Sequence, residues 1–73
     1  MADTLLGTVR TWHVDRAFGW IATDQAVSCY FVHLDDVLGR VELRPDQHVR
    51  FMPVRTARGP RAVAVEILEE GSR

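Results

Sequence analysis

The residues whose chemistry is easiest to infer are two aromatic rings that lie two positions apart, beside a basic side chain. Segment 16–21 has the sequence Arg-Ala-Phe-Gly-Trp-Ile. Side chains two apart on a β-strand project from the same face, so Phe18 and Trp20 form a platform on which planar heterocycles can stack. Gly19 leaves space between the rings, and Arg16 can pair with a phosphate. The order basic, small, aromatic, small, aromatic, aliphatic is that of a ribonucleoprotein motif and predicts a surface for nucleic-acid bases.

A second aromatic segment, Phe31-Val32-His33, begins ten residues after the first one ends. Alternation along a strand places Val32 on the face opposite to its two neighbours. If Ile21, Tyr30 and Val32 take the core side, the other rings are left on the solvent side, and an exposed cluster of this kind usually marks a binding surface. We call this predicted surface the aromatic face; it consists of Phe18, Trp20, Phe31 and His33. The alternative is an ordinary aromatic hairpin whose rings pack beneath a loop or a partner.

The elements that must hold these segments are predicted to be short strands. No stretch of ten or more residues has the helical period of apolar positions, whereas short alternating runs recur between turn residues. A longer connection spans 34–45, with one helical turn expected at 35–38, and the last turn is at 58–60. The predicted strands are 5–13, 17–23, 28–33, 47–56 and 61–68. Alternation in the last two strands predicts core positions at Val49, Phe51, Val54, Val63, Val65 and Ile67.

The order and spacing of these segments together resemble the cold-shock domain family. That family has approximately Gly-x-Val-Lys-Trp-Phe, then Lys-Gly-Phe-Gly-Phe-Ile, then Phe-Val-His-Phe, and a Gly-Pro before an alternating last strand. The matching residues here are Gly7, Val9, Arg10 and Trp12, then segment 16–21, then segment 31–33, and Gly59-Pro60 before Val63-Ala64-Val65. The resemblance covers residues 5–68 as one domain. It leaves residues 1–4 as an N-terminal extension and residues 69–73 as a solvated C-terminal tail.

The resemblance implies an all-β fold, a five-stranded antiparallel barrel of the OB type. It also implies binding of single-stranded RNA or DNA with low sequence specificity and without a cofactor, in the role of a nucleic-acid chaperone or a regulator of transcription or translation. Among the histidines, His33 is expected to stack, and His13 and His48 are expected to be solvated. The nucleic-acid-binding residues expected are Arg10, Trp12, Arg16, Phe18, Trp20, Phe31, His33 and Arg58.

Four positions depart from the family pattern. Thr11 stands where the family usually has Trp, and Leu34 stands where a further Phe is common. Ala17 replaces a Gly, and Cys29 replaces an Asp. The first two departures remove stacking platforms. Because each stacked base contributes about 1–3 kcal/mol, we expect binding to be weakened by more than about tenfold unless other contacts compensate.

The chain is close to neutral, with a formal charge of −1, which argues against binding driven by a strong global field. Residues 1–38 have two Arg against five Asp, whereas residues 39–73 have seven Arg against five acidic side chains. All nine basic residues are Arg, which either reflects codon bias or supplies guanidinium groups that pair with phosphate and stack on bases. Binding is expected to depend on a local basic rim of Arg10, Arg16, Arg58 and Arg61.

The composition also excludes several classes of protein. A chain of 73 residues forms one domain with a small core, which leaves no room for an enzyme with a deep pocket. Cys29 is the only cysteine, so no internal disulfide forms, and the histidines lack the paired spacings of zinc sites. We expect no metal, no small-molecule substrate and no membrane association. A cytoplasmic location is expected, because the chain has neither a signal peptide nor an apolar stretch of roughly 20 residues.

Two alternatives to a nucleic-acid-binding barrel account for parts of the same pattern. An RNA-recognition-motif fold shares segment 16–21, but it needs two helices, and here segment 31–33 follows the motif instead of preceding it. A protein-interaction module is the stronger alternative, and it would bind a protein through the aromatic face or through the connection at 34–43. The acidic net charge and the two missing platforms favour it, whereas the retained aromatic and Arg residues disfavour it.

Overall fold

Five strands close into a barrel in this computed structural model, which describes residues 3–24 and 29–68. They are β1 (Leu5–His13), β2 (Phe18–Ala22), β3 (Tyr30–His33), β4 (His48–Thr56) and β5 (Gly59–Ile67). Their order around the barrel is β1-β2-β3-β5-β4, and β4 pairs with β1 to complete the ring. The predicted all-β, five-stranded barrel is therefore confirmed. Residue 28 of the predicted third strand, part of the predicted extension (1–2) and the predicted tail (69–73) lie outside the described residues.

One junction of the barrel is parallel, which the sequence analysis did not foresee. Four junctions are antiparallel, between β1 and β2, β2 and β3, β1 and β4, and β4 and β5. The fifth, between β3 and β5, is parallel and pairs Phe31 with Arg61. A closed ring with an odd number of strands cannot reverse direction at every junction, so one parallel junction is unavoidable. The prediction of an antiparallel barrel is corrected to this extent.

The core lies inside the barrel and is built from alternate strand positions. Val49, Phe51 and Val65 are completely buried, as predicted, and so are Ile21 and Val32. The predicted core residues Tyr30, Val54, Val63 and Ile67 are only half-buried. Ala62 takes the buried place that was expected for Val63.

The reason for this exchange is a break in the alternation of β5. Ala64 has a φ of 50°, which is outside the extended region, and the pairing of β4 with β5 shifts its register between Arg50 and Met52. A bulge of this kind moves every following side chain by one position relative to the pleat. Ala62 and Val65, three positions apart, therefore face the same core. Sequence alternation alone cannot locate such a bulge, because the residue types on both sides of it are apolar.

The connection between β3 and β4 contains two short 3₁₀ turns, at Leu34–Asp36 and Leu38–Arg40. Val37 lies between them, is almost fully buried and pairs with Val65 of β5. Leu43, further along the connection, is also almost fully buried and belongs to the same core. The single helical turn predicted at 35–38 is therefore two turns with a buried anchor between them. No helix within the described ranges is long and apolar enough to cross a membrane.

The turn between β1 and β2 holds one residue in a strained conformation. Ala17 has a φ of 59°, in the left-handed region that costs an L-residue roughly 1–2 kcal/mol. Its N–H donates to the His13 carbonyl oxygen at 2.8 Å, and its own carbonyl accepts from the Leu34 N–H at 2.9 Å. These two hydrogen bonds tie the turn to β1 and to the start of the connection. The strain falls at the position where the family pattern has Gly.

Replacing Ala17 by Gly is expected to raise the free energy of unfolding by roughly 0.5–1 kcal/mol. The relief of left-handed strain exceeds the conformational entropy that Gly adds to the unfolded chain. Thermal or urea unfolding measures the difference. The matched control is Ala22→Gly in β2, where the backbone is extended and Gly should destabilise by about 0.5–1 kcal/mol. A loss of stability in both variants would contradict the assignment of strain to Ala17.

Candidate nucleic-acid interface

The aromatic face exists in the structure as a continuous row of rings across β2 and β3. The two strands pair so that Trp20 lies opposite Phe31 and Phe18 lies opposite His33. Directly opposed residues share a face of the sheet, and the inward partners of the same pair of strands are Gly19 and Val32. The outward assignment of the four rings therefore follows from the strand register.

Phe31 is the centre of this row. Its ring centroid is 5.5 Å from that of Phe18, with an interplanar angle of 33°, and 5.5 Å from that of Trp20, with an angle of 73°. Distances of 4.5–7 Å with tilted or edge-on planes are the geometry that aromatic pairs prefer. Trp20 keeps 39% of its surface exposed. The rings thus hold one another in place while parts of their surfaces stay open to solvent.

His13 extends the row, although the sequence analysis expected it only to be solvated. It is exposed, but its ring lies 4.8 Å from that of Phe18. The two are cross-strand partners that flank the turn at 14–17. The sequence could have indicated the contact of His13 with Phe18, because residues on either side of a short hairpin turn are neighbours across the two strands.

Trp12, one of the expected binding residues, lies outside the aromatic face. It lies opposite Gly19 in the register, and its half-buried ring packs against the core. The indole Nε1 is buried and has no hydrogen-bond partner among the described residues. The cause is a register shift in β1 between Val9 and Thr11, which makes Thr11 the outward partner of Trp20.

A groove of about 360 Å³ runs between the aromatic face and the hairpin that joins β4 to β5. Thr56 organises this hairpin: its hydroxyl donates to the Gly59 carbonyl oxygen at 2.9 Å and accepts from the Arg58 N–H at 3.2 Å. Gly59 has a φ of 125°, which residues with a side chain rarely adopt. The groove is lined by Phe18, Trp20, Phe31, Thr56, Arg58, Gly59, Pro60 and Arg61.

One cation of the predicted rim, Arg61, is already paired. Its Nε and Nη2 both donate to Oδ2 of Asp36, at 2.9 and 2.6 Å, and its Cζ lies 5.8 Å from the Phe31 ring centroid. Asp36 was expected only to begin a helical turn. Instead it neutralises Arg61 and fixes its guanidinium over the central ring, in a cation–π contact with Phe31. The sequence did not reveal this pair, because the two residues are 25 positions apart.

His33 is oriented by a hydrogen bond from the following turn. Its Nδ1 accepts from the Asp35 N–H at 3.0 Å and so caps the turn at Leu34–Asp36. A neutral imidazole that accepts at Nδ1 has its proton on Nε2. The Asp35 carboxylate pairs with Arg40 at 3.1 Å. The His33 ring therefore presents an N–H donor at Nε2.

The other three expected cations, Arg10, Arg16 and Arg58, are exposed and do not form one cluster. Arg58 lines the groove, and Arg16 lies in the turn that leads into Phe18. Arg10 occupies the bulge of β1 and lines a separate depression of about 570 Å³ next to His48. Within residues 3–24 and 29–68, none of these three guanidinium groups has a hydrogen bond or ion pair to another side chain.

A protein-family model described as the 'Cold-shock' DNA-binding domain matches residues 5–68, the same segment that the sequence pattern delimits. The chain belongs to the cold-shock DNA-binding domain family. Proteins of this family bind nucleic acids and are not enzymes. Membership of this family implies nucleic-acid binding by this cold-shock domain, and the exposed aromatic face is consistent with that activity.

Two relatives illustrate the range of similarity. A cold shock-like protein from Aquifex aeolicus (strain VF5) is 35% identical over 66 residues, which cover 88% of this chain and 94% of that protein. The solved structure of Drosophila Unr CSD456 superimposes with a TM-score of 0.80 at 19% identity and covers 99% of this chain. This chain spans 29% of the length of that second chain, and the likeness shows the shared fold.

The division between core and aromatic face predicts losses of stability of different size for the two kinds of position on β2 and β3. Val32 is completely buried, so Val32→Ala is expected to lower the free energy of unfolding by about 2 kcal/mol. Phe18 is half-buried on the outer face, so Phe18→Ala should cost no more than about 1 kcal/mol despite removing a larger side chain. Urea unfolding of both variants measures this. Equal or larger destabilisation by Phe18→Ala would mean that the ring belongs to the core.

Proposed function

We propose that this cold-shock domain binds single-stranded RNA or DNA, with little overall sequence preference, by stacking bases on the aromatic face. The observation that carries the proposal is the open row of Phe18, Phe31 and Trp20, with neighbouring centroids 5.5 Å apart and a groove beside it. Every base has a flat π-surface, so stacking tolerates any sequence. In a duplex both faces of each base are already covered by neighbours, which favours single strands as the ligand.

The charge distribution favours a contribution to strand binding from a few cations near the aromatic face. The net charge of −1 supplies no global attraction for a polyanion. Arg58 lies at the groove, and Arg16 precedes the first ring of the row, so both can reach phosphates of a strand stacked on the aromatic face. Arg10 lines a different depression and would contact only a strand that continues beyond the row.

The proposed roles differ among the expected site residues. Phe18, Trp20 and Phe31 provide stacking surfaces, and His33 adds a ring edge with an Nε2–H donor. Trp12 supports the surface from within by packing beneath Gly19. A domain that holds unpaired strands in this way would act as a nucleic-acid chaperone in the cytoplasm, affecting transcription or translation without catalysis.

Tryptophan fluorescence tests the stacking, and the two tryptophans allow an internal control. A short oligothymidine should quench the emission of the wild type and of Trp12→Phe, because the exposed Trp20 stacks on a base. Trp20→Phe should lose the quenching but keep most of its affinity, measured by anisotropy of a labelled oligothymidine, because Phe remains a stacking surface. A matched duplex should quench far less.

The opposite pattern would overturn this proposal. Quenching that disappears in Trp12→Phe and persists in Trp20→Phe would place the bound strand away from the aromatic face. The absence of any binding to oligothymidine at low salt and high micromolar concentration would reject single-strand binding.

The salt dependence of binding tests the proposed phosphate contacts. For single strands, log affinity falls against log salt with a slope of about −0.7 per neutralised phosphate. Two or three contacts predict a slope of about −1.5 to −2 for the wild type. Arg16→Ala and Arg58→Ala should each make the slope shallower by about 0.7 without changing the base preference.

Arg50 is the matched control for this experiment. It is exposed like Arg16 and Arg58, but it pairs with Glu66 at 2.9 Å and lies six residues along β4 from Thr56, about 20 Å away in an extended strand. Arg50→Gln should leave the slope unchanged. An equal response at Arg50 and Arg16 would mean that phosphates do not follow a defined path beside the aromatic face.

Binding of a protein is the second candidate function, and one observation favours it. Leu38 and Val41, in the connection between β3 and β4, are 58% and 51% exposed. Two apolar side chains so close together on the surface are a plausible contact for a protein partner. If this connection binds a protein and not the strand, the double variant Leu38→Ser/Val41→Ser should leave oligonucleotide affinity unchanged. A loss of oligonucleotide affinity in that variant would mean that the connection contributes to strand binding.

A further inference from the structure

Arg61 has an arrangement that simple phosphate contact does not require. A surface Arg that neutralises a phosphate needs an uncompensated charge and no fixed orientation, but this guanidinium is held by two hydrogen bonds to one oxygen of Asp36. The pair is partly buried, with 39% of the Arg61 side chain and 21% of the Asp36 side chain exposed. Its charge is compensated, and its orientation is fixed at the wall of the groove. The local chemistry is therefore that of a positioned hydrogen-bond donor.

The free donors of Arg61 form a fork. A guanidinium has five N–H donors in one plane, and Asp36 takes one from Nε and one from Nη2. These two lie along one edge of the plane. Three N–H donors remain, and two of them, the second N–H of Nη2 and one N–H of Nη1, point away from Asp36 as a parallel pair at the far end of the group. Within the described residues they have no acceptor.

The position of this fork relates it to a stacked base. Arg61 is the cross-strand partner of Phe31, and its Cζ lies over the Phe31 ring, 5.8 Å from the ring centroid. It lines the same groove as the rings of Phe18 and Trp20. Because the guanidinium lies over part of the Phe31 ring, a base stacked on the neighbouring rings of this groove brings one of its edges to the guanidinium. A fork that can only donate favours an edge with two adjacent acceptors.

We propose that Arg61, held by Asp36, recognises the edge of one stacked base and selects guanine over adenine at that position of the bound strand. Guanine presents O6 and N7 as adjacent acceptors, which match two parallel Arg donors. Adenine presents N7 beside the N6 amino group, so one donor of the fork faces another donor. The proposal rests on the stacking function above and adds one base-selective position to a surface that is otherwise tolerant of sequence.

The experiment uses a short oligothymidine in which one central thymine is replaced by guanine, adenine or 7-deazaguanine, with affinities measured by anisotropy. For the wild type we expect the guanine strand to bind about five- to tenfold more tightly than the adenine strand, at the lower end for a bidentate contact because the site is partly exposed. The 7-deazaguanine strand lacks the N7 acceptor and should lose most of that advantage.

Two variants separate base recognition from charge. Arg61→Lys keeps the charge but lacks the planar fork, so the preference for guanine over adenine should fall below about twofold. Asp36→Asn releases the guanidinium, so the guanine preference should fall and the salt slope should steepen by about 0.7 as Arg61 becomes available to phosphate. The control is Arg50→Lys, which alters another ion-paired Arg outside the groove and should change neither quantity.

Three other results would contradict the proposal, and each has a different meaning. Equal wild-type affinity for guanine and adenine strands, with oligothymidine still bound, rejects base recognition by Arg61 but not the stacking function. A uniform loss of affinity for all strands in Arg61→Lys, together with a lower melting temperature, means that Arg61 only supports Phe31. A wild type that does not bind oligothymidine rejects the proposed function, and the guanine preference with it.

Discussion

The close approach of β1 and β2 at Gly19 is the constraint on which the rest of the binding surface depends. A Cβ at this position would lie 2.2 Å from the Thr11 carbonyl oxygen and 2.8 Å from Cε3 of Trp12, distances that real Cβ atoms do not show. Only Gly lets the Trp12 ring lie across the inner side of β2 at this point. With that side filled, the neighbouring rings of Phe18 and Trp20 project outward. The absence of a side chain at Gly19 therefore lets Trp12 pack against the core and leaves Phe18 and Trp20 on the outer face.

The irregularities of the barrel strands decide which side chains face the core and which face the groove. The bulge at Arg10 turns Trp12 inward and Thr11 outward, and the break at Ala64 places Ala62 in the core. The single parallel junction, unavoidable in a ring of five strands, sets Arg61 of β5 beside Phe31 of β3. Because of this junction, residues that are far apart in the chain share one groove. Perfect alternation in β1 would have kept Trp12 on the surface.

The electrostatic character of the surface follows from pairing more than from composition. Arg61, Arg40 and Arg50 are compensated by Asp36, Asp35 and Glu66. Exposed pairs of this kind contribute little stability, roughly 0–1 kcal/mol, but they remove cations from the set that can meet phosphate. The partly buried pair at the groove also orients its members. A net charge near zero is thus compatible with free guanidinium groups near the aromatic face, those of Arg16 and Arg58.

The sequence by itself determined the strand segments, the family and the outward placement of Phe18, Trp20, Phe31 and His33. Alternation along a strand is a local property of the backbone, so two neighbouring strands with clear patterns suffice to assign these faces. Only the tertiary structure decided the place of Trp12, the contact of His13 with Phe18, and the pairing of Arg61 with Asp36. Bulges depend on how both strands of a pair fit together, and a contact across 25 residues depends on barrel closure, so neither leaves a periodic signal in the chain.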